Sequence, residues 1–152
     1  MSAEKSPSLP RSVAWLGYGG LIPFLVLAPA SLLDPAHGLV WSDALYGYGA
    51  VILSFVGALH WGMAMSLPEM SERQRTKAFV WSVVPALLAW PALLVSPPVA
   101  APILVLGFVA HYFMDCRLAR QVSLPGWYLP LRLRLSGVAS LCLIGGVFAS
   151  CV

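Results

Sequence analysis

The feature that most constrains this chain is a succession of long apolar runs separated by short polar segments. A helix crosses the roughly 30 Å hydrocarbon core of a bilayer with about 20 apolar residues, within a range of about 17–25. Five runs fit that length, at about 13–33, 43–67, 78–95, 99–116 and 135–152, the fourth being short. Composition points the same way. Charged residues are 10% of the 152 and apolar ones 59%, against about 25% charged in a typical soluble domain. So few charges cannot cover a soluble surface, and the same figures exclude a disordered chain, a disulfide scaffold and a coiled coil. The reading is an all-α integral membrane protein of five transmembrane helices, with residues 1–152 forming a single membrane-embedded bundle.

The charges set the expected orientation. All nine basic residues fall in three places: Lys5 and Arg11 before the first run, Arg73, Arg75 and Lys77 after the second, and Arg117, Arg120, Arg132 and Arg134 after the fourth. The segments around residues 34–42 and 96–98 and the C-terminal end carry none. The positive-inside rule then places the N-terminus in the cytoplasm and the C-terminus on the opposite side, as an odd number of spans requires. A net charge of +3 is no argument for nucleic acid here, because the basic residues flank apolar runs and form no basic stripe with interleaved aromatics. Ala28-Pro29-Ala30 after a charged start loosely imitates a signal-peptide cleavage site. The prolines suit cleavage poorly and the run is long, so it reads as a span.

Helices in lipid associate through small residues and shared polar groups, because leaving one apolar medium for another gains little. On the second run Gly47, Ala50, Ser54, Gly57 and Ala58 form a stripe, with Trp61 at its cytoplasmic end. That stripe reads as a helix-packing groove. Pro23 and Pro29 in the first run, and Pro85 and Pro91 in the third, each remove a backbone donor and predict kinks. The stretch 117–134, with Trp127 and Tyr128, is expected to lie along the cytoplasmic interface. Cys116, Cys142 and Cys151 are expected at three different depths and form no C-x-x-C.

Ionisable side chains inside a membrane are costly, which makes each one a candidate site. His60 and His111 are expected at nearly one depth, roughly 10 Å inside the cytoplasmic boundary at 1.5 Å per residue. Asp115 follows His111 by one helical turn. His60, His111 and Asp115 could therefore meet in one polar layer if their helices face each other. Such a layer suits a haem held by the two histidines with Gly57 and Gly107 leaving room, a transition metal held with Asp115, or a proton relay or quinone site. It equally suits helices held in register by internal hydrogen bonds. A second constellation sets Asp115 against Arg117, Arg120 and Arg132, with an Asp115–Arg132 pair stapling the interfacial stretch to the bundle. No catalytic motif and no dedicated metal motif occurs.

Three segments carry a resemblance: Leu53-Ser54-Phe55-Val56-Gly57-Ala58-Leu59-His60-Trp61-Gly62; Trp81-Ser82-Val83-Val84-Pro85 with Ala89-Trp90; and Asp115 followed by Leu124-Pro125-Gly126-Trp127-Tyr128 and Leu131-Arg132. Together they resemble an uncharacterised family of small inner-membrane proteins that includes transmembrane protein 69 homologues. The resemblance implies a bundle of about five helices in a bacterial inner membrane and no known reaction. The residues matching its pattern are His60, Trp61, Gly62, Pro85, Trp90, Asp115, Trp127, Tyr128 and Arg132; His111 is not part of it. The resulting expectation is a non-enzymatic accessory or assembly protein that packs against inner-membrane partners or copies of itself. The alternatives are a small transporter or channel with a His60/Asp115 path, or a quinone-, haem- or metal-binding bundle using His60 and His111.

Overall fold

The computed structural model describes residues 8–149, and among them the only regular structure is helical. In chain order the helices are α1 (Arg11–Gly19), α2 (Ile22–Leu33), α3 (Gly38–Ser66), α4 (Glu72–Ala92), α5 (Pro97–Ala119) and α6 (Tyr128–Ala149). A single 3₁₀ turn, Pro35–His37, joins α2 to α3. Among the described residues four stretches are long and apolar enough to cross a membrane: Arg11–Leu33, Pro35–Ser66, Pro97–Ala119 and Tyr128–Phe148. Helix α4 is not one of them, because charged residues occupy its first two turns before its apolar part begins at Ala78. Cys151 and Lys5 lie outside the described residues.

The first run is not one kinked helix. It breaks at Gly20–Leu21, and Pro23 sits in the first turn of α2, where its missing N–H costs little. The break frees the carbonyl of Gly20, which accepts a hydrogen bond from the Tyr48 hydroxyl of α3 at 2.9 Å. Pro29, by contrast, stays inside α2, as Pro85 and Pro91 do inside α4. At the other end of α2, Asp34 accepts from the Trp41 indole at 3.1 Å and pairs with His37 at 3.0 Å. The Trp41 bond and then His37 hold its carboxyl below the usual carboxylate range.

The α3–α4 connection is built from caps. Ser71 and Gln74 form a reciprocal capping box at the start of α4. The Arg75 guanidinium donates to the carbonyls of Ala64, Leu67 and Met70, which satisfies the open end of α3. A residue expected only as a topology signal is thus also a helix clamp.

Helix α3 is the centre of the bundle, packing against α2, α4, α5 and α6. Its buried face is Leu45, Gly49, Leu53, Val56, Gly57, His60 and Ala64, at spacings of three and four. This corrects the expected stripe: Ala50 and Gly57 are buried, but Ala58 is exposed, Ser54 is only partly buried and Gly47 meets nothing. The reason is that large side chains also carry the packing face. A Cβ on Gly107 would lie 2.5 Å from Leu53 Cδ2, and one on Gly146 would lie 2.6 Å from Leu45 Cδ2. Leucines of α3 therefore seat in glycine hollows of α5 and α6. Gly57 does the reverse, accepting the α4 backbone: its Cβ would lie 2.9 Å from the Ser82 carbonyl oxygen and from Pro85 Cγ.

The largest boundary correction concerns α6. The last span was expected from 135, but the helix begins at Tyr128, so Tyr128 and Arg132 ride on a bundle helix and not on an interfacial loop. Arginines at 132 and 134 end an apolar run in a hydropathy reading. They do not end the helix, because Arg132 is paired inside the protein.

Gly57→Ala should destabilise the folded protein by about 1–3 kcal/mol, since α4 backbone must shift to admit the methyl. Gly47→Ala, which meets nothing within 4 Å, should be neutral or slightly stabilising, because alanine is the better helix former. Unfolding both variants in the same mixed micelles checks the order, and equal costs would refute the α3–α4 contact.

Candidate functional site

The site is organised around one carboxylate. Asp115 of α5 is fully buried, as is His111 one turn before it, and His60 of α3 and Arg132 of α6 are nearly so. Asp115 Oδ1 accepts from His60 Nε2 at 2.9 Å and from the Tyr128 hydroxyl at 3.0 Å. Its Oδ2 accepts from Arg132 Nε at 3.0 Å. An ionised carboxylate has about four acceptor positions, and these donors take three of them. His111 Nε2 stands off at 3.7 Å from Oδ1. Helix α4 joins from behind, where the Trp81 indole donates to His111 Nδ1 at 3.1 Å and its ring lies nearly parallel to the imidazole, with 12° between planes. Four helices thus converge on one polar layer.

Each partner is where it is for a local reason. Tyr128 and Arg132 are one turn apart on α6, so they share the face turned to α5. His60 is brought in by the spacing of three and four along the buried face of α3. Gly57, three residues earlier, lets α4 approach closely enough for Trp81 to reach α5. The structure therefore brings together His60, His111, Asp115, Tyr128 and Arg132. It does not bring in the other residues singled out in the sequence. Trp61 is about half exposed and packs edge-on against Phe79 at 4.7 Å. Trp90 is exposed on α4. Trp127 is partly buried beside Tyr128 at 6.4 Å between ring centroids. Arg117 and Arg120 are exposed, so the guanidinium facing Asp115 is that of Arg132.

Trp81 is the residue that sequence reasoning missed. It stood in the Trp-Ser-Val-Val-Pro segment, but its indole was given no role, because nothing along one helix says which neighbour a side chain will reach. Ser136, one turn beyond Arg132 on α6, was likewise unremarked.

The hydrogen-bond directions decide what this arrangement can do. An indole N–H only donates, so His111 Nδ1 must hold a lone pair, and in the neutral ring Nε2 then carries the hydrogen. His60, His111 and Asp115 present ligand atoms within 4.8 Å of one another, which is close enough for a metal ion. The tautomer that Trp81 imposes leaves His111 Nε2 without the lone pair a ligand needs, and Arg132 already neutralises Asp115. That donor set suits internal pairing better than a cation. Haem fits less well still. The two imidazoles touch edge to face with centroids 4.9 Å apart, leaving no plane for a macrocycle. The glycines expected to make room receive Leu53 and the α4 backbone.

Comparison with known proteins points to a membrane protein. The family described as "Protein of unknown function (DUF3429)" matches residues 9–148. Transmembrane protein 69 of Xenopus tropicalis is 36% identical over 151 aligned residues, covering 94% of this chain and 56% of the frog protein. Transmembrane protein 69 of Mus musculus is 26% identical over 125 residues, covering 82% of this chain and 50% of the mouse protein. The chain spans about half the length of these curated relatives. No solved structure matches it. With its apolar helices, the chain is an all-α integral membrane protein.

Removing a donor from the charged carboxylate should cost about 1.5–3 kcal/mol, the range for hydrogen bonds to charged groups. Tyr128→Phe and His60→Phe are therefore expected to lose that much stability, with His60→Ala losing at least as much. Arg120→Ala, at an exposed position, should stay within about 0.5 kcal/mol. Unfolding in mixed micelles reads all four, and a His60→Phe protein as stable as the parent would contradict the network.

Proposed function

This chain belongs to the family of proteins of unknown function DUF3429, and from that premise we propose a non-enzymatic accessory or assembly role within a membrane. The carrying observation is that most hydrogen-bonding positions of the His60–His111–Asp115–Arg132 cluster are taken by the protein's own helices, with His111 Nε2 and Arg132 Nη2 left over. Asp115 takes donors from His60, Tyr128 and Arg132, and His111 is held by Trp81. A general base or nucleophile needs a free lone pair aimed at a substrate, with a pKa suited to its task. Here an arginine partner stabilises the carboxylate, and its neighbours are arranged to hold helices in register. The exposed apolar faces of the bundle then meet lipid, membrane partners or further copies of the chain.

The proposal includes a topology of five crossings in one bundle, with the N-terminus cytoplasmic, in a bacterial inner membrane. Support for α4 as the remaining span comes from its course along α3. Arg75 grips the end of α3, Phe79 meets Trp61, and Ser82 and Pro85 meet Gly57. Helix α4 therefore climbs back through the same depths that α3 descends. With five crossings, all basic residues from Arg11 to Arg134 share one side.

Two measurements test this reading. Reporter fusions at the two termini should report opposite sides of the membrane; the same side for both would leave four crossings and overturn the topology. A tagged chain isolated from native membranes in mild detergent should carry one membrane protein, or a second copy, in fixed stoichiometry. Repeated recovery as a lone monomer would overturn the accessory role.

A further inference from the structure

Beside the Asp115 network lies a partly open cavity of about 520 Å³ between α1, α2, α3 and α6, with α5 contributing Phe108. That volume is within the range of about 300–1,000 Å³ usual for small-molecule sites. Its walls are apolar, with Leu16, Phe24, Phe55 and Phe108 among them. Polarity is confined to one wall, the face of α6 carrying Tyr128, Arg132 and Ser136 at intervals of four. The Tyr128 hydroxyl is committed to Asp115. The other two side chains are not fully used. Arg132 is 5% exposed and Ser136 7%, yet Arg132 Nη2 and Ser136 Oγ are buried without a hydrogen-bond partner. Unsatisfied buried polar atoms in an apolar medium are costly, and the two residues that carry these, both able to donate, line the same cavity.

We propose that this cavity binds a neutral, membrane-dissolved molecule, apolar along its length, that presents one carbonyl oxygen to Arg132 Nη2 and Ser136 Oγ. A carbonyl oxygen has two lone pairs and can accept from both donors at once. Neutrality follows from charge balance: the guanidinium is already matched by Asp115 at 3.0 Å, so an anionic headgroup would set a second negative charge beside that carboxylate. The apolar walls suit an alkyl, prenyl or acyl body. Two sources share this chemistry, the ring carbonyl of a prenylated quinone and the ester carbonyl of an acyl lipid. The site is separate from the His60–His111 pair and independent of the accessory role.

The test is native mass spectrometry of the full chain in mild detergent, with four probes of matched chain length: decylbenzoquinone, monodecanoyl glycerol, decane and decyl phosphate. One equivalent of a carbonyl probe should bind saturably, more tightly than decane or decyl phosphate. The preferred carbonyl probe identifies the source. Ser136→Ala should weaken that binding about fivefold, the effect of one net hydrogen bond. Leu59→Trp, which puts an indole into the cavity, should abolish it. Ser136→Ala removes only an unpaired buried hydroxyl that does not bond to Asp115, so that variant should be at least as stable as the parent. If Leu59→Trp folds poorly, Ser136→Ala decides alone. Decane or decyl phosphate binding as tightly as the carbonyl probes, no saturable binding, or Ser136→Ala binding unchanged would each overturn the proposal.

Discussion

The interaction on which the rest depends is the ion pair between Asp115 and Arg132. An ionised carboxylate inside an apolar bundle is tolerable only if it is paired and hydrogen-bonded, because the desolvation penalty for each buried ion is several kcal/mol. Once Asp115 stands on the buried face of α5, a cation and further donors must reach it. Arg132 brings the first turns of α6 into the bundle, Tyr128 comes with them, and His60 brings α3. The bundle is arranged to satisfy one acid.

That arrangement needs close approach, and glycine supplies it where it counts. Leu53 and Leu45 of α3 fill the hollows at Gly107 and Gly146, and the α4 backbone fills the one at Gly57. Since lipid gives helices little hydrophobic reason to associate, these contacts and the polar layer have to carry the packing together. They are also linked in space. Gly57 and His60 lie on one face of α3, and Ser82, which meets Gly57, is next to Trp81, which holds His111. The same layer borders the α6 wall where Arg132 and Ser136 keep unused donors.

Much of the architecture was legible in the sequence because bilayer thickness imposes a length on every spanning run. The helical class, the positions of the apolar runs and the depth match of His60 with His111 and Asp115 all follow from 1.5 Å per residue and hydropathy. What hydropathy cannot see is pairing between segments. It stopped the last span at Arg134, whereas α6 starts at Tyr128 because Asp115, far away in sequence, accepts Arg132. It read the packing face of α3 from small residues alone and so misplaced it, since Leu45 and Leu53 matter as much as Gly57. Trp81 lay in full view, but its role depends on the rotation of α4 against α5, which no single-helix pattern encodes.

A double-mutant cycle on Asp115→Leu and Arg132→Met, followed by unfolding in mixed micelles, bears most directly on the central claim. Each single change strands a buried charge and should cost about 3–5 kcal/mol. The double change removes both charges and should cost less than either single one, a coupling well outside the additive range of about 0.3–0.5 kcal/mol seen for independent sites. If the two single costs simply add, Asp115 and Arg132 do not hold each other, and the carboxylate is not the hub of the fold.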